Sequence, residues 1–256
     1  MGTLVDSSLD NNHHQHIHHP NFIISQLPYT STADLFDFWT MILQQQVELI
    51  VCLCRDSEFN QQYYWPTSKQ TPLSLFTLKV TLQSVKETAN SIQRVFTVAS
   101  LADNLSRTVV ILQQNTASPQ LSATVTTRAA SVTTTGIGLN EMPENMSSFL
   151  KFVKECENFF LTQQRSHAHP ILCHCVNGVS RSAVFLLVYS MIQIIDTSCD
   201  SSATSPPAPA SISAEFMLRL VKQMRSKRKY MVQSVYHLKY AYDALLYYLK
   251  GKAIDS

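Results

Sequence analysis

Residues Cys173 to Ser182 read Cys-His-Cys-Val-Asn-Gly-Val-Ser-Arg-Ser, between the apolar segments Pro170-Ile171-Leu172 and Ala183-Val184-Phe185-Leu186-Leu187-Val188. No other stretch limits the fold so tightly. It spells strand, tight loop and buried helix, with a cysteine at the mouth of the loop and an arginine six residues on. Backbone N–H groups of such a loop point inward, and the helix N-terminus adds partial positive charge. The site suits a phosphate or another oxyanion. The same field favours a thiolate, because cysteines at helix N-termini beside Arg have depressed pKa values.

Each residue has a part in this reading. Cys175 is the candidate nucleophile, attacking phosphorus to give a covalent thiophosphate. Arg181 is expected to hold two phosphate oxygens through its planar fork. Gly178 lets the backbone approach the ligand. Ser182 is placed to hydrogen-bond the Cys175 sulfur, and His174 to orient the loop rather than to move protons. Val176, Asn177, Gly178, Val179, Ser180 and Arg181 form the expected phosphate cradle. The competing reading is a buried, inert cysteine with a surface arginine nearby. The flanking His, Gly and Ser, with the strand and helix on either side, favour the phosphate loop.

The run resembles the His-Cys-x-x-Gly-x-x-Arg-Ser/Thr signature of the cysteine-dependent protein-tyrosine phosphatase superfamily. Asp37-Phe38-Trp39-Thr40-Met41, Val47 to Leu53, Tyr64-Trp65-Pro66 and Met231-Val232-Gln233 are similar to further motifs of that family, from about Asn21 to Leu249. The resemblance implies an α/β fold: a twisted, mixed, mostly parallel central sheet with helices on both faces, its amino end truncated relative to the family. It implies hydrolysis of phosphotyrosine in proteins, with Gln233 positioning the water that breaks the thiophosphate. Endosomal sorting proteins, and an endosomal location, enter only by analogy with one branch of the family.

The chain departs from the pattern in five places. The mobile loop that should carry a general-acid aspartate matches Ile137 to Pro143, and Leu139 stands at the acid position. General acid catalysis typically contributes ~10²–10⁴-fold, so turnover of phosphotyrosine is expected to be impaired; Glu141 is the nearest substitute acid. His237 occupies the place of a second glutamine, and Asn60 that of a lysine. Ser180 replaces a glycine, as in dual-specificity phosphatases. The phosphotyrosine-recognition loop that precedes the region matching Asn21 is not found, which implies a fragment or an open pocket. Three functions follow: an impaired tyrosine phosphatase (or a dual-specificity one), a binding module that holds phosphotyrosine proteins unhydrolysed, and a scaffold with a vestigial pocket. Retention of Cys175, Gly178, Arg181 and Ser182 argues against the third.

At 256 residues the chain fits one α/β domain. The expected organisation is a His/Asn-rich disordered tail over 1–20, a domain over 21–250 and a short tail over 251–256. A net charge of +2 argues against nucleic acid as partner. The short basic cluster from Lys222 to Lys229 reads as a solvated helix end. Six cysteines without a Cys-x-x-Cys pair or secretory signal fit reduced thiols in the cytoplasm. No apolar run is long enough to span a bilayer, and Asp6 stands where myristoylation wants a hydroxyl residue. Neighbouring ligands on one strand alternate faces, so Cys173, His174 and Cys175 cannot converge on one ion. No metal or cofactor is expected, since thiolate and guanidinium supply the chemistry.

The periodicity predicts helices from Asp34 to about Gln46, Ser147 to Leu161, Arg181 to Ile195, Ala214 to Arg225 and Ser234 to Leu249. Strands are predicted over Phe22 to Ile24, Glu48 to Leu53, Leu73 to Val85, Ile92 to Ala99, Thr108 to Leu112 and Ile171 to His174. Gln113 to Thr135 reads as an irregular insertion, and Ser198 to Ser211 as a surface loop.

Overall fold

The computed structural model describes residues 3–5, 21–60, 62–116, 142–143, 145–163, 169–200 and 214–255. Among the described residues, eight strands form one sheet in the order β1-β2-β8-β3-β7-β6-β5-β4. These are β1 (Thr3–Val5), β2 (Phe22–Gln26), β3 (Leu49–Cys52), β4 (Leu73–Leu75), β5 (Leu78–Glu87), β6 (Ser91–Ser100), β7 (Leu105–Gln114) and β8 (Ile171–Cys175). The helices are α1 (Thr32–Gln44), α2 (Met146–Gln163), α3 (Arg181–Asp200), α4 (Ala214–Lys227) and α5 (Val235–Asp255).

The centre of the sheet is parallel: β2, β8, β3 and β7 run the same way. Antiparallel pairs flank it, β1 on β2 at one edge and the β7-β6-β5-β4 meander at the other. This is the mixed α/β sheet the sequence implies. The central strands are rich in apolar residues because both faces are covered. One face, with Ile23, Ile50, Cys52 and Leu172, packs on α1 through Leu35, Phe38, Trp39, Ile42 and Leu43. The other, with Phe22, Ile24, Leu49, Val51, Ile171, Cys173 and Cys175, packs on α2 to α5.

Helix α1 starts where Ser31 caps it, the side chain accepting the Asp34 N–H. Its fully buried Trp39 donates Nε1–H to the Tyr64 carbonyl at 2.9 Å, tying the helix to the loop after β3. Removing an aromatic of that size from a core costs about 3–5 kcal/mol.

Several expected boundaries move. Residues 3–5 of the expected tail form β1, whose ladder bonds go to the β2 edge. Helix α3 runs to Asp200, into the expected surface loop, and α5 runs to Asp255 through the expected carboxyl tail. The alternation from Leu73 splits into the hairpin β4–β5, with Phe76 at φ 49 in its turn. Gln113 and Gln114 belong to β7, not to the insertion. Residues 6–20 and 117–141, and with them most of the tail and insertion, lie outside the described residues.

Candidate active site

Strands β2, β3 and β8 are parallel neighbours, so their carboxyl ends open on one side of the sheet. The segments that follow them meet there. Leu27 N–H donates to the Val176 carbonyl, and Leu53 N–H to that of His174. Val232 N–H donates to the Val179 carbonyl, bringing the α4–α5 connection against the same loop. Ligands of parallel α/β sheets sit at such strand ends.

The loop from Val176 to Ser180 turns on Gly178, at φ +70. A Cβ there would stand 2.5 Å from the Ser25 carbonyl oxygen, so the position demands glycine for space as well as for conformation. The turn brings donors onto the Cys175 sulfur. Gly178 N–H donates to it at 3.3 Å, and Ser182 Oγ lies 3.3 Å away. Burial alone pushes the thiol pKa up. Hydrogen bonds from the Ser182 side chain and backbone, the charge of Arg181 and the Gly178 N–H outweigh it, and the pKa falls below the usual 9.0. The other buried thiols lack this environment: burial pushes Cys156 and Cys173 well up.

Arg181 opens α3 and is buried. Its terminal nitrogens Nη1 and Nη2 donate to Glu58 Oε2 at 2.8 Å and Oε1 at 2.7 Å, and Nη1 also reaches the Leu53 carbonyl at 2.7 Å. The fork expected to grip phosphate therefore grips a carboxylate. A buried guanidinium needs that counter-charge. Its Nε–H is buried with no hydrogen-bond partner among the described residues, and this is the edge left for an oxyanion.

Asn177 is half-buried in the loop. Its Oδ1 accepts the N–H groups of Val179 at 3.1 Å and Ser180 at 3.3 Å and the Ser180 hydroxyl at 2.8 Å, and it lies 3.4 Å from the Cys175 sulfur. A carboxamide oxygen thus fills the position that the inward-pointing amides create for an anion.

His174 is fully buried, with Nε2 2.7 Å from the Tyr64 hydroxyl and Nδ1 3.8 Å from Cys54 Sγ. Val176 points outward, 44% exposed. Gln233 follows Val232, which is held at φ 55, but its side chain is exposed. Arg225 braces this connection by donating to the carbonyls of Met231 and Val232, both at 2.8 Å. Leu139 and Glu141 lie outside the described residues.

A model of the protein-tyrosine phosphatase family matches residues 10–247. The chain belongs to the protein-tyrosine phosphatase family. Human tyrosine-protein phosphatase non-receptor type 23 is 29% identical over 230 residues, which cover 89% of this chain and 12% of that protein. The rat type 23 protein is 30% identical over 230 residues, covering 89% and 13%. Human non-receptor type 20 is 27% identical over 232 residues, covering 90% and 45%. The chain thus spans under half the length of these phosphatases. Type 23 is the His-domain protein-tyrosine phosphatase, whose catalytic domain Arg228 to Gln233 and the spacing around Tyr64 to Thr67 also resemble.

Glu58, Asn177's capture of the loop amides and the Cys54–His174–Tyr64 contacts were not legible in the motif. One signal for Glu58 existed: an acidic residue shortly after a buried strand, in a chain whose essential arginine must be neutralised somewhere.

Proposed function

We propose that the chain hydrolyses phosphotyrosine in proteins through a cysteinyl-phosphate on Cys175, with turnover held down by Leu139 at the acid position. The observation that carries the proposal is the Cys175 sulfur, buried yet met by Gly178 N–H and the Ser182 hydroxyl beside the Arg181 cation. That environment suits a thiolate. In the first step the sulfur attacks phosphorus and the bond to the tyrosyl oxygen breaks, the electron pair leaving with that oxygen. Charge on the phosphoryl oxygens is met by loop amides and Arg181 Nε–H. In the second step water, oriented by Gln233, displaces the sulfur and releases phosphate.

The tyrosyl oxygen leaves as a poor, basic group unless it is protonated. Leucine carries no proton for it, and Glu141 is the nearest carboxylate in sequence. This favours a second reading, a module that captures phosphotyrosine proteins and releases them slowly or unhydrolysed. The five described cysteines, Cys52, Cys54, Cys156, Cys173 and Cys175, are free thiols, and no described helix is long and apolar enough to cross a membrane. We propose a reducing, cytoplasmic setting for the reaction because a thiolate nucleophile must stay unoxidised.

Parallel assays separate the readings. The expected result is turnover of an aryl phosphate with an acidic leaving group, little turnover of phosphotyrosine peptides, and loss of both in Cys175→Ser. Leu139→Asp should raise peptide hydrolysis. Vigorous peptide turnover by the wild type would refute the impairment. Tight peptide binding with no turnover of either substrate would select the binding module.

A further inference from the structure

On the α1 face of the sheet, behind the phosphate loop, Cys52 Sγ, Cys54 Sγ and one ring nitrogen of His174 lie within 4.8 Å of one another, all three residues fully buried. We infer that these side chains form a binding site for a thiophilic divalent ion of the zinc class.

The juxtaposition is built into the sheet. Cys52 on β3 pairs in parallel register with His174 on β8, so the two side chains share a face. Cys54 lies two residues beyond Cys52 and returns to that face. Cys173 and Cys175 point to the opposite face, as alternation on one strand requires. Convergence comes from two strands, which is why no spacing along one segment announces it.

The donor set selects the ion. Two sulfurs and an imidazole suit zinc and its soft congeners, while magnesium and calcium require oxygen. Charge balance points the same way. Two thiolates and a neutral imidazole cancel a divalent ion, leaving a neutral unit in a site shielded from water. Metal–sulfur bonds of about 2.3 Å place tetrahedral ligand atoms roughly 3.7 Å apart. Cys54 Sγ and His174 Nδ1 already stand 3.8 Å apart; the other pairs, within 4.8 Å, need to close by no more than about an ångström. Three protein ligands leave the fourth position of the ion open.

The outer contacts are those a ligating histidine needs. With Nδ1 facing Cys54, the ring must carry its proton on Nε2, where the Tyr64 hydroxyl waits at 2.7 Å as acceptor. Tyr64 is itself fully buried and stays a phenol, since burial pushes its pKa well up. Without metal the Cys54 thiol keeps its proton: the hydrogen bond with Cys52, burial and the neighbouring sulfur all push it up. Metal uptake therefore releases protons.

The site braces the catalytic loop from behind. His174 precedes Cys175, and Leu53, between the two ligand cysteines, gives its carbonyl to Arg181 Nη1. A bound ion ties both strands at the points where nucleophile and guanidinium are held.

The experiment uses the full chain with Cys175→Ser, treated with chelator under reducing conditions, so that the catalytic thiol cannot contribute. Cadmium titration is expected to give a thiolate-to-metal charge-transfer band that saturates at one equivalent. The His-rich amino-terminal segment can bind cadmium but yields no thiolate band. Adding Cys54→Ser should abolish the band, and circular dichroism would show that this variant folds. Zinc is expected to displace cadmium and to raise the melting temperature of the Cys175→Ser chain. Should Cys54→Ser not fold, Cys52→Ser is read instead. Absence of a band in the Cys175→Ser chain, or a band that persists unchanged without Cys52 or Cys54, overturns the assignment. A band seen only when Cys175 is present would mean metal on the nucleophile and would overturn it equally.

Discussion

Glu58 holds Arg181 by both ends of its fork, with Oε2–Nη1 at 2.8 Å and Oε1–Nη2 at 2.7 Å. The arginine is nearly inaccessible, while the glutamate side chain keeps 27% exposure. Glu58 also accepts the Arg55 N–H at 2.7 Å, which fixes the carboxylate to the turn Asp56–Phe59. Positioning of the phosphate ligand thus originates in a different segment from the phosphate loop.

The first prediction follows from that pairing. Glu58→Gln puts an amide N–H₂ against a guanidinium donor and leaves a buried cation without its counter-charge. Hydrogen bonds to charged groups contribute about 1.5–3 kcal/mol, and a loss of that order is expected in urea unfolding at neutral pH. Phosphate affinity should fall as well, because Arg181 is freed to reorient. Burial raises the Glu58 pKa, but the hydrogen bonds and charge of Arg181 hold it below the usual 4.5. A depressed carboxylate contributes stability that is complete above 4.5 and is lost as pH falls through its lower folded value. Wild-type stability should therefore decline on acidification below 4.5 more steeply than that of Glu58→Gln. Parallel pH profiles would sink the idea.

The second prediction concerns the nucleophile. With its pKa depressed below 9.0, Cys175 is reactive at pH values where an ordinary thiol is protonated. Alkylation by iodoacetate, followed by mass mapping of the modified cysteine, should show a midpoint below 9.0 at Cys175. Ser182→Ala removes the largest of the lowering effects and should move the midpoint upward. A midpoint at or above 9.0 in the wild type would contradict the arrangement described for the loop.

A third prediction turns on Asn177. Its Oδ1 occupies two loop amides and the Ser180 hydroxyl, 3.4 Å from the sulfur. A phosphate needs those same donors, so the carboxamide must swing out first. Asn177→Ala removes the competitor, and inorganic phosphate should then inhibit aryl-phosphate turnover at several-fold lower concentration. Weaker inhibition would show instead that the carboxamide is a brace without which the loop collapses.

The parts of this architecture carried by one continuous segment were readable in advance. Strand β8, the loop and α3 announce themselves because apolar runs flank a polar turn, and the cysteine, glycine and arginine sit at fixed offsets within it. The same holds for α1, whose apolar face repeats with helical period from Leu35 to Leu43. What could not be read depends on which strands become neighbours. Glu58 meets Arg181 across 123 residues and Tyr64 meets His174 across 110, and neither pair has a local signature. The ends of α3 and α5 were misjudged for another reason. Polar residues such as Thr197 and Lys252 look like loop, yet Thr197 Oγ1 donates back to the Gln193 carbonyl and Lys252 pairs with Asp196, so the helices continue.

The last prediction tests whether the loop's shape depends on one missing side chain. Gly178 combines φ +70 with Ser25 backbone atoms O, C and N of Gln26 at 2.5, 2.7 and 2.8 Å from where a Cβ would stand. A β-carbon strains the dihedral, which costs about 1–3 kcal/mol, and it also collides with backbone rather than with a movable side-chain tip. Ser25 cannot retreat freely, because β2 is zipped to β8 with Ser25 opposite His174. The loop must move instead, and the Gly178 N–H leaves the Cys175 sulfur. Gly178→Ala is therefore expected to lower the urea midpoint and, in the molecules that remain folded, to raise the Cys175 alkylation midpoint. A variant that lost stability but kept the wild-type alkylation profile would separate the glycine's fit against β2 from its part in ionising the thiol.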